Sequence, residues 1–263
     1  MPVIRETRRR HYLEEHLMQD DLWEWAREHH TILRGLSPDE LHQLREIATI
    51  FAHEKEFEGT DGLVITEKVK ASVAVQAALP ILKLGIDWYR NWTTVVIVPK
   101  EFVNHRVLRD RAGVVHEWVE TDAGESWQKG PVVLSWRDVE ASGWCDGFNV
   151  VIHEAAHRLD MTDGSVNGRP GLHKGMDGKR WFDICSAAFS DLAGRSGSRR
   201  RSQIDAYATV SDAEFFAVVT EYFFELPHVV HREYPDLYEL FRTFYRQDPL
   251  SRLHDRPVAR HRL

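Results

Sequence analysis

Two histidines and a glutamate lie close together in the segment V-V-I-H-E-A-A-H-R-L-D at residues 150–160. His153 and His157 are four residues apart, so on a helix their imidazoles project from one face, about 5–6 Å apart at Cβ, and can bind one metal ion. Glu154 lies about 100° around the helix from His153, beside the position of a metal-bound water. Two imidazole ligands and an adjacent carboxylate base are what metal-assisted hydrolysis requires, so this segment predicts a zinc site.

The alternative interpretation is a pair of buried histidines that are held by hydrogen bonds alone. The apolar surroundings, residues 148–156, disfavour it, because ionisable side chains in such a run are costly unless they are paired or bound to a metal. Asp146 or Asn149 could cap the start of the helix, and the turn-forming sequence at 160–167 ends it.

A third protein ligand is needed, because catalytic zinc usually takes three protein ligands and leaves a fourth position for water. The candidates outside the His153–His157 pair are Asp160, Glu214, Glu221, His228 and His231. Glu214 and Glu221 are seven residues apart on a later predicted helix and therefore share a face. Ser211 and Glu214 also match the S-x-x-E capping box, which needs no metal. The spacing alone leaves the choice between Glu214 and Glu221 open.

The elements that must position these residues indicate an α+β fold. Ser37-Pro38-Asp39-Glu40 predicts the start of a helix with an apolar face up to Phe51, and Thr66–Gln76 predicts a second helix. Later helices are predicted at 179–192, 211–226 and 234–246. Strands are predicted at 92–98, 113–121 and 131–136. Strands that precede the histidine-bearing helix favour a small mixed or antiparallel sheet rather than repeated βαβ units.

The predicted order of segments divides the chain into four parts. We expect a flexible N-terminal arm at 1–20, a helical portion at 21–90 packed on the core, a zincin-like catalytic domain at 91–247 and a polar C-terminal tail at 248–263. Within the catalytic domain, the Arg-rich stretch at 193–203 has the composition of a mobile loop.

Composition limits the classes of protein to consider. A net charge of −7 argues against a nucleic-acid binder, which needs a basic surface. The only two cysteines, Cys145 and Cys185, imply no disulfide framework and fit a reducing compartment. No run of about 18 apolar residues and no signal-like N-terminus is present, so we expect no membrane span and a cytoplasmic location.

Five separated blocks resemble, in the same order, the Mlc titration factor A family of zinc-dependent peptidases. The blocks are L-R-G-L-S-P-D-E (33–40), H-E-K-E-F-E-G (53–59), G-P-V-V-L-S-W (130–136), N-V-V-I-H-E-A-A-H-R-L-D (149–160) and A-Y-A-T-V-S-D-A-E-F-F-A-V-V-T-E-Y-F-F (206–224). The resemblance covers roughly residues 30–245. It implies a gluzincin-type fold similar to the catalytic domain of anthrax lethal factor.

The resemblance also implies a role for each motif residue. His153, His157 and Glu214 would be the ligands of one Zn²⁺, Glu154 the general base and Tyr207 the catalytic tyrosine. The implied activity is aminopeptidase-like hydrolysis of short peptides, with regulation of sugar-uptake genes through a transcriptional repressor of the Mlc type. The alternative function is a regulatory binding protein that sequesters such a repressor and has a latent or structural metal site.

Overall fold

The structure is a computed structural model that describes residues 2–99, 130–195 and 202–253. Its helices are α1 (Pro2–His16), α2 (Asp20–His29), α3 (Pro38–Glu54), α4 (Glu67–Ala78), α5 (Trp136–Ala141), α6 (Val150–Asp160), α7 (Gly178–Arg195), α8 (Asp212–Glu225), α9 (Pro227–Glu233), α10 (Pro235–Tyr245) and α11 (Pro249–Leu253). The strands are β1 (Glu56–Gly59), β2 (Thr94–Val98) and β3 (Val132–Ser135). The predicted strand at 113–121 lies outside the described residues, as does 196–201 of the Arg-rich loop. No helix within the described ranges is long and apolar enough to cross a lipid bilayer.

The described strands form one sheet in the order β1-β2-β3, and both pairs are parallel. The predicted antiparallel pairing is therefore wrong for these strands, although helices around a small sheet agree with the α+β class. Parallel neighbours need a crossover of about a dozen residues or more, and α4 provides it between β1 and β2. We did not predict β1, because its sequence E-F-E-G is acidic and only Phe57 packs against the core.

Helices α3 and α4 follow the sequence prediction closely. The Ser37 hydroxyl accepts a hydrogen bond from the Glu40 N–H, and the Glu40 carboxylate accepts one from the Ser37 N–H, which completes the predicted capping box. Thr66 caps α4 by accepting from the N–H of Val69. Both helices contribute fully buried side chains to the core, so the N-terminal helices and the rest of the chain share one hydrophobic core.

Two segments that we expected to be irregular contain helices: α1 lies in the predicted arm at 1–20, and α11 lies in the predicted tail at 248–263, of which 254–263 are outside the described residues. Arg9 of α1 donates hydrogen bonds to Glu54 and Asp87, each at 2.7 Å, and these contacts hold α1 against the following helices. Arg252 of α11 hydrogen-bonds to the main-chain oxygen of Ile32. These partners lie 45 or more residues away along the chain, so local periodicity could not reveal them. The division into domains stays a prediction.

Helices α6 and α8 pack against each other. On its other sides, α8 packs against α7 and α10 through a cluster of aromatic rings. The ring of Phe216 lies 5.6 Å from that of Phe241 on α10 and 6.0 Å from that of Trp181 on α7. Phe223 stacks on Tyr245 at 5.5 Å. These large buried rings fix the rotation of α8 and therefore the direction in which its glutamates point.

Candidate metal centre

The start of α6 is set by a buried asparagine. Asn149 is fully buried, and its side-chain oxygen accepts a hydrogen bond of 2.9 Å from the N–H of Ile152. Of the two cap candidates, Asn149 is thus the N-cap, whereas Asp146 accepts from the N–H of Phe148 just before the helix.

One turn into α6 the two histidines meet. Their ring centroids are 4.8 Å apart, and the Nε2 atoms of His153 and His157 are 3.2 Å apart. His153 is buried and His157 is half-buried, so both nitrogens are largely shielded from bulk water.

Glu214 reaches the same point from the first turn of α8. The Ser211 hydroxyl accepts from the Glu214 N–H at 3.2 Å, which is half of the predicted capping box. Instead of turning back to Ser211, the Glu214 carboxylate faces the histidines. Its Oε2 lies 3.1 Å from His153 Nε2, and its Oε1 lies 3.4 Å from His157 Nε2. The structure therefore brings His153, His157 and Glu214 together.

The arrangement of these atoms fits a zinc ion. Ligands about 2.0–2.2 Å from a tetrahedral metal are themselves about 3.3–3.6 Å apart. The observed separations of 3.1, 3.2 and 3.4 Å approach those values. Glu214 Oε2 is buried and accepts no well-aligned hydrogen bond from any described residue, although it lies 3.1 Å from His153 Nε2. A buried carboxylate oxygen in that condition is costly unless a cation satisfies it.

The electrostatics of the cluster also favour one positive charge between the rings and the carboxylate. Burial by itself would lower the pKa of His153, but contacts with Glu214 and Glu221 raise it to about 10. Burial would raise the pKa of Glu214, but His153 and His157 hold it well below its usual range. A metal ion that binds here competes with a proton on His153, because zinc takes neutral imidazole as its ligand.

The other two predicted functional residues lie beside the cluster. Glu154 is half-buried on α6, directly after His153. Tyr207 is half-buried in a 3-10 turn at Ala206–Thr209, and its ring centroid is 6.2 Å from that of His153. Asp205 fixes this turn by accepting a 2.8 Å hydrogen bond from the Tyr207 N–H.

The remaining candidates for a third ligand do not join the cluster. Asp160 is fully buried, and its Oδ2 accepts a 2.9 Å hydrogen bond from the N–H of Gly168, so it fixes the loop after α6. His228 and His231 are exposed on α9. Glu221 contacts His153 at the other ring nitrogen, Nδ1, rather than at Nε2.

A cavity of about 220 Å³ adjoins the cluster and was not predicted. Tyr207 and Glu221 line it on the side of His153, and Asp146 and Asp205 line its exposed part. None of its lining side chains, among the residues described, is basic. Asp146 and Asp205 each precede a helical start, where an aspartate normally indicates only an N-cap. The sequence therefore indicated the cavity only weakly.

Comparison with known proteins agrees with a metal site at this position. Residues 4–246 match the family described as glucose-regulated metallo-peptidase M90, and the chain belongs to this metallopeptidase family. It is 38% identical over 229 residues to Mlc titration factor A of Yersinia enterocolitica, covering 84% of each chain. Mlc titration factor A of a Yersinia pestis strain is also 38% identical, over 84% of this chain and 83% of its own.

Proposed function

We propose that the protein is a zinc-dependent peptidase in which His153, His157 and Glu214 hold one Zn²⁺. The observation that carries the proposal is the convergence of both Nε2 atoms on a buried Glu214 oxygen that no aligned donor in the described residues satisfies. Membership of a metallopeptidase family supports a bound metal ion. We further propose that the fold is zincin-like, of the gluzincin type.

The chain's own residues divide the chemistry between them. When bound, the zinc ion supplies a Lewis acid and lowers the pKa of a water to about 7. Glu154 accepts a proton from the attacking water and later donates it to the leaving amine. The Tyr207 hydroxyl donates a hydrogen bond to the oxyanion that develops on the scissile carbonyl.

We propose aminopeptidase-like activity on short peptides, as the family resemblance implies. The cavity beside Tyr207 supports this, because its volume of about 220 Å³ suits a single residue rather than a long segment. The carboxylates of Asp146 and Asp205 favour a positively charged group there, such as the α-ammonium of a peptide.

A second candidate function follows from the relatives' name, Mlc titration factor A. We propose that the protein also binds a transcriptional repressor of the Mlc type, and acts in the cytoplasm where such a repressor works. In the alternative form of this proposal, sequestration of the repressor is the whole function and the metal site is latent or structural.

Hydrolysis of amino-acid anilides, with and without a chelator, tests the peptidase proposal. Wild-type protein should lose activity with the chelator and regain it with zinc. Glu154→Gln should keep its zinc and lose about 10²–10⁴-fold in kcat, the usual contribution of a general base. A zinc-bound Glu154→Gln that is as active as wild type contradicts the mechanism. If wild type cleaves no peptide while a repressor co-purifies with it, the binding function is favoured.

A further inference from the structure

The Nδ1 atom of His153, which faces away from the cluster, contacts a carboxylate that the proposed chemistry does not use. His153 Nδ1 lies 2.8 Å from Oε1 of Glu221, a residue of α8 that is only 1% exposed. Nδ1 and Nε2 are on opposite sides of an imidazole ring, so Glu221 cannot reach a metal bound at Nε2. Glu221, which the sequence spacing left as an alternative to Glu214 for the third ligand, therefore faces away from the cluster.

The second oxygen of Glu221 is also engaged. Glu221 Oε2 accepts a 2.7 Å hydrogen bond from the N–H of Asn149, the N-cap of α6. The Asn149 side chain is itself fully bonded: it accepts from Ile152 and donates to Gln76 at 2.9 Å and to Glu225 at 2.8 Å. Three helices therefore hold Asn149, and Asn149 presents a rigid donor to Glu221.

We infer that Glu221 is a positioning residue for the metal centre. Its two oxygens hold the ring of His153 and the first turn of α6 at the same time. Because Glu214 belongs to the same helix as Glu221, these two contacts fix the position of Glu214 relative to His153. With Nδ1–H donated to Glu221, the lone pair of His153 Nε2 is left free for the metal.

The inference rests on the proposed metal site, but it concerns zinc binding rather than peptide hydrolysis. Glu221→Gln is the informative change, because it keeps the volume and removes one of two acceptors. Either the Nδ1–H of His153 or the N–H of Asn149 then faces an amide NH₂. A buried donor opposite a donor must move, so the ring or the start of α6 shifts.

The experiment measures zinc affinity of the full chain by competition with a chelator. Glu221→Gln should bind zinc about 10–100-fold more weakly than wild type, as is usual when the outer partner of a metal-bound histidine is lost. The matched control is Glu225→Gln, one turn later on α8, which contacts Asn149 but not His153. It should bind zinc as wild type does. The visible absorption of the cobalt-substituted proteins should change for Glu221→Gln alone, while thermal unfolding of the metal-free proteins confirms that each variant folds.

Equal zinc affinity of wild type and Glu221→Gln overturns the inference, and so does an equal loss in both variants, which indicates a packing effect. If Glu221→Gln does not fold, Glu221→Asp keeps both acceptors but withdraws them by one methylene. It should still bind zinc more weakly than wild type, and unchanged affinity overturns the inference. Wild type that binds zinc tightly but cleaves no peptide contradicts only the peptidase proposal. Wild type that binds no zinc removes the site and this inference with it.

Discussion

The Ser211 hydroxyl accepts a hydrogen bond from the main-chain N–H of Glu214 at 3.2 Å, while the Glu214 carboxylate points to the histidines. One residue pair thus starts α8 and presents a metal-ligand candidate from its first turn. Ser211→Ala removes the cap, and we expect a loss of about 0.5–2 kcal/mol in the free energy of unfolding. Chemical denaturation of the metal-free protein measures this loss. Ser211→Thr, which keeps the hydroxyl, should stay close to wild type, and a similar loss in both variants contradicts the capping role.

Tyr207 and Tyr222 line the same cavity but have different surroundings. We expect Tyr207→Phe to lower kcat by about 10²–10³-fold, the usual effect of removing one donor to an oxyanion, with zinc content unchanged. Steady-state kinetics on an amino-acid anilide, together with metal analysis, measures both quantities. The Tyr222 hydroxyl donates to the main-chain oxygen of Gln203 at 2.8 Å, so Tyr222→Phe is the matched control. Equal kcat values for the two variants argue against an oxyanion contact by Tyr207.

We expect Glu225 to make the free energy of unfolding of the metal-free protein depend on pH. Burial, together with the charge of Asp146, raises the pKa of Glu225 from 4.5 to about 8, although a hydrogen bond from Asn149 opposes the change. Because the pKa is higher in the folded state, the free energy of unfolding is highest below pH 4.5. It falls as the pH rises from 4.5 to about 8 and stays at the lower value above that pH.

Glu225→Gln imitates the protonated carboxyl and should remove this dependence. One pKa unit corresponds to about 1.4 kcal/mol. We therefore expect the unfolding free energy of the variant, relative to that of wild type, to rise by at least about this amount between pH 5 and pH 8. Urea denaturation at several pH values measures the difference. A constant difference across this range contradicts the assignment.

Patterns that lie within one helix were predictable from the sequence. The spacing of His153 and His157, the S-P-D-E start of α3 and the helix at 211–226 are patterns within one element, and the structure contains them. Glu214 and Glu221 show the limit. Their spacing put both on one face of α8, but which ring nitrogen each meets depends on how α8 is rotated against α6. The packing of Phe216 and other distant aromatic residues sets that rotation, so local spacing could not decide it.

The sheet was less predictable for the same reason. Strand β2 was recognisable from T-V-V-I-V, because a buried strand is rich in β-branched residues. Its parallel partners were not, since the direction of a neighbour depends on the crossover and not on the strand's own sequence. Helix α1 likewise contacts the rest of the protein through Arg9, whose partners Glu54 and Asp87 are far away in the chain.

Gly168 couples the loop after α6 to the start of α8. Its φ is +73°, and a Cβ at this position would collide with the main-chain oxygen of Asp212, two residues before Glu214. Its N–H donates to Asp160 at 2.9 Å, so the loop cannot easily move away. Gly168→Ala should therefore displace the first turn of α8 and weaken zinc binding. Its unfolding free energy should fall by more than the roughly 1–2 kcal/mol that a left-handed conformation costs a residue with a side chain.

Gly164, in the same loop, is the matched control for this prediction. Its φ is +95°, but a Cβ there meets no described atom within 4 Å. Gly164→Ala should lose only about 1–2 kcal/mol of stability from backbone strain, with the zinc affinity of wild type. Chelator competition and denaturant unfolding of the two variants separate strain from displacement. If Gly168→Ala binds zinc as tightly as Gly164→Ala, the loop does not set the position of Glu214, and the packing of α8 against its aromatic neighbours alone must do so.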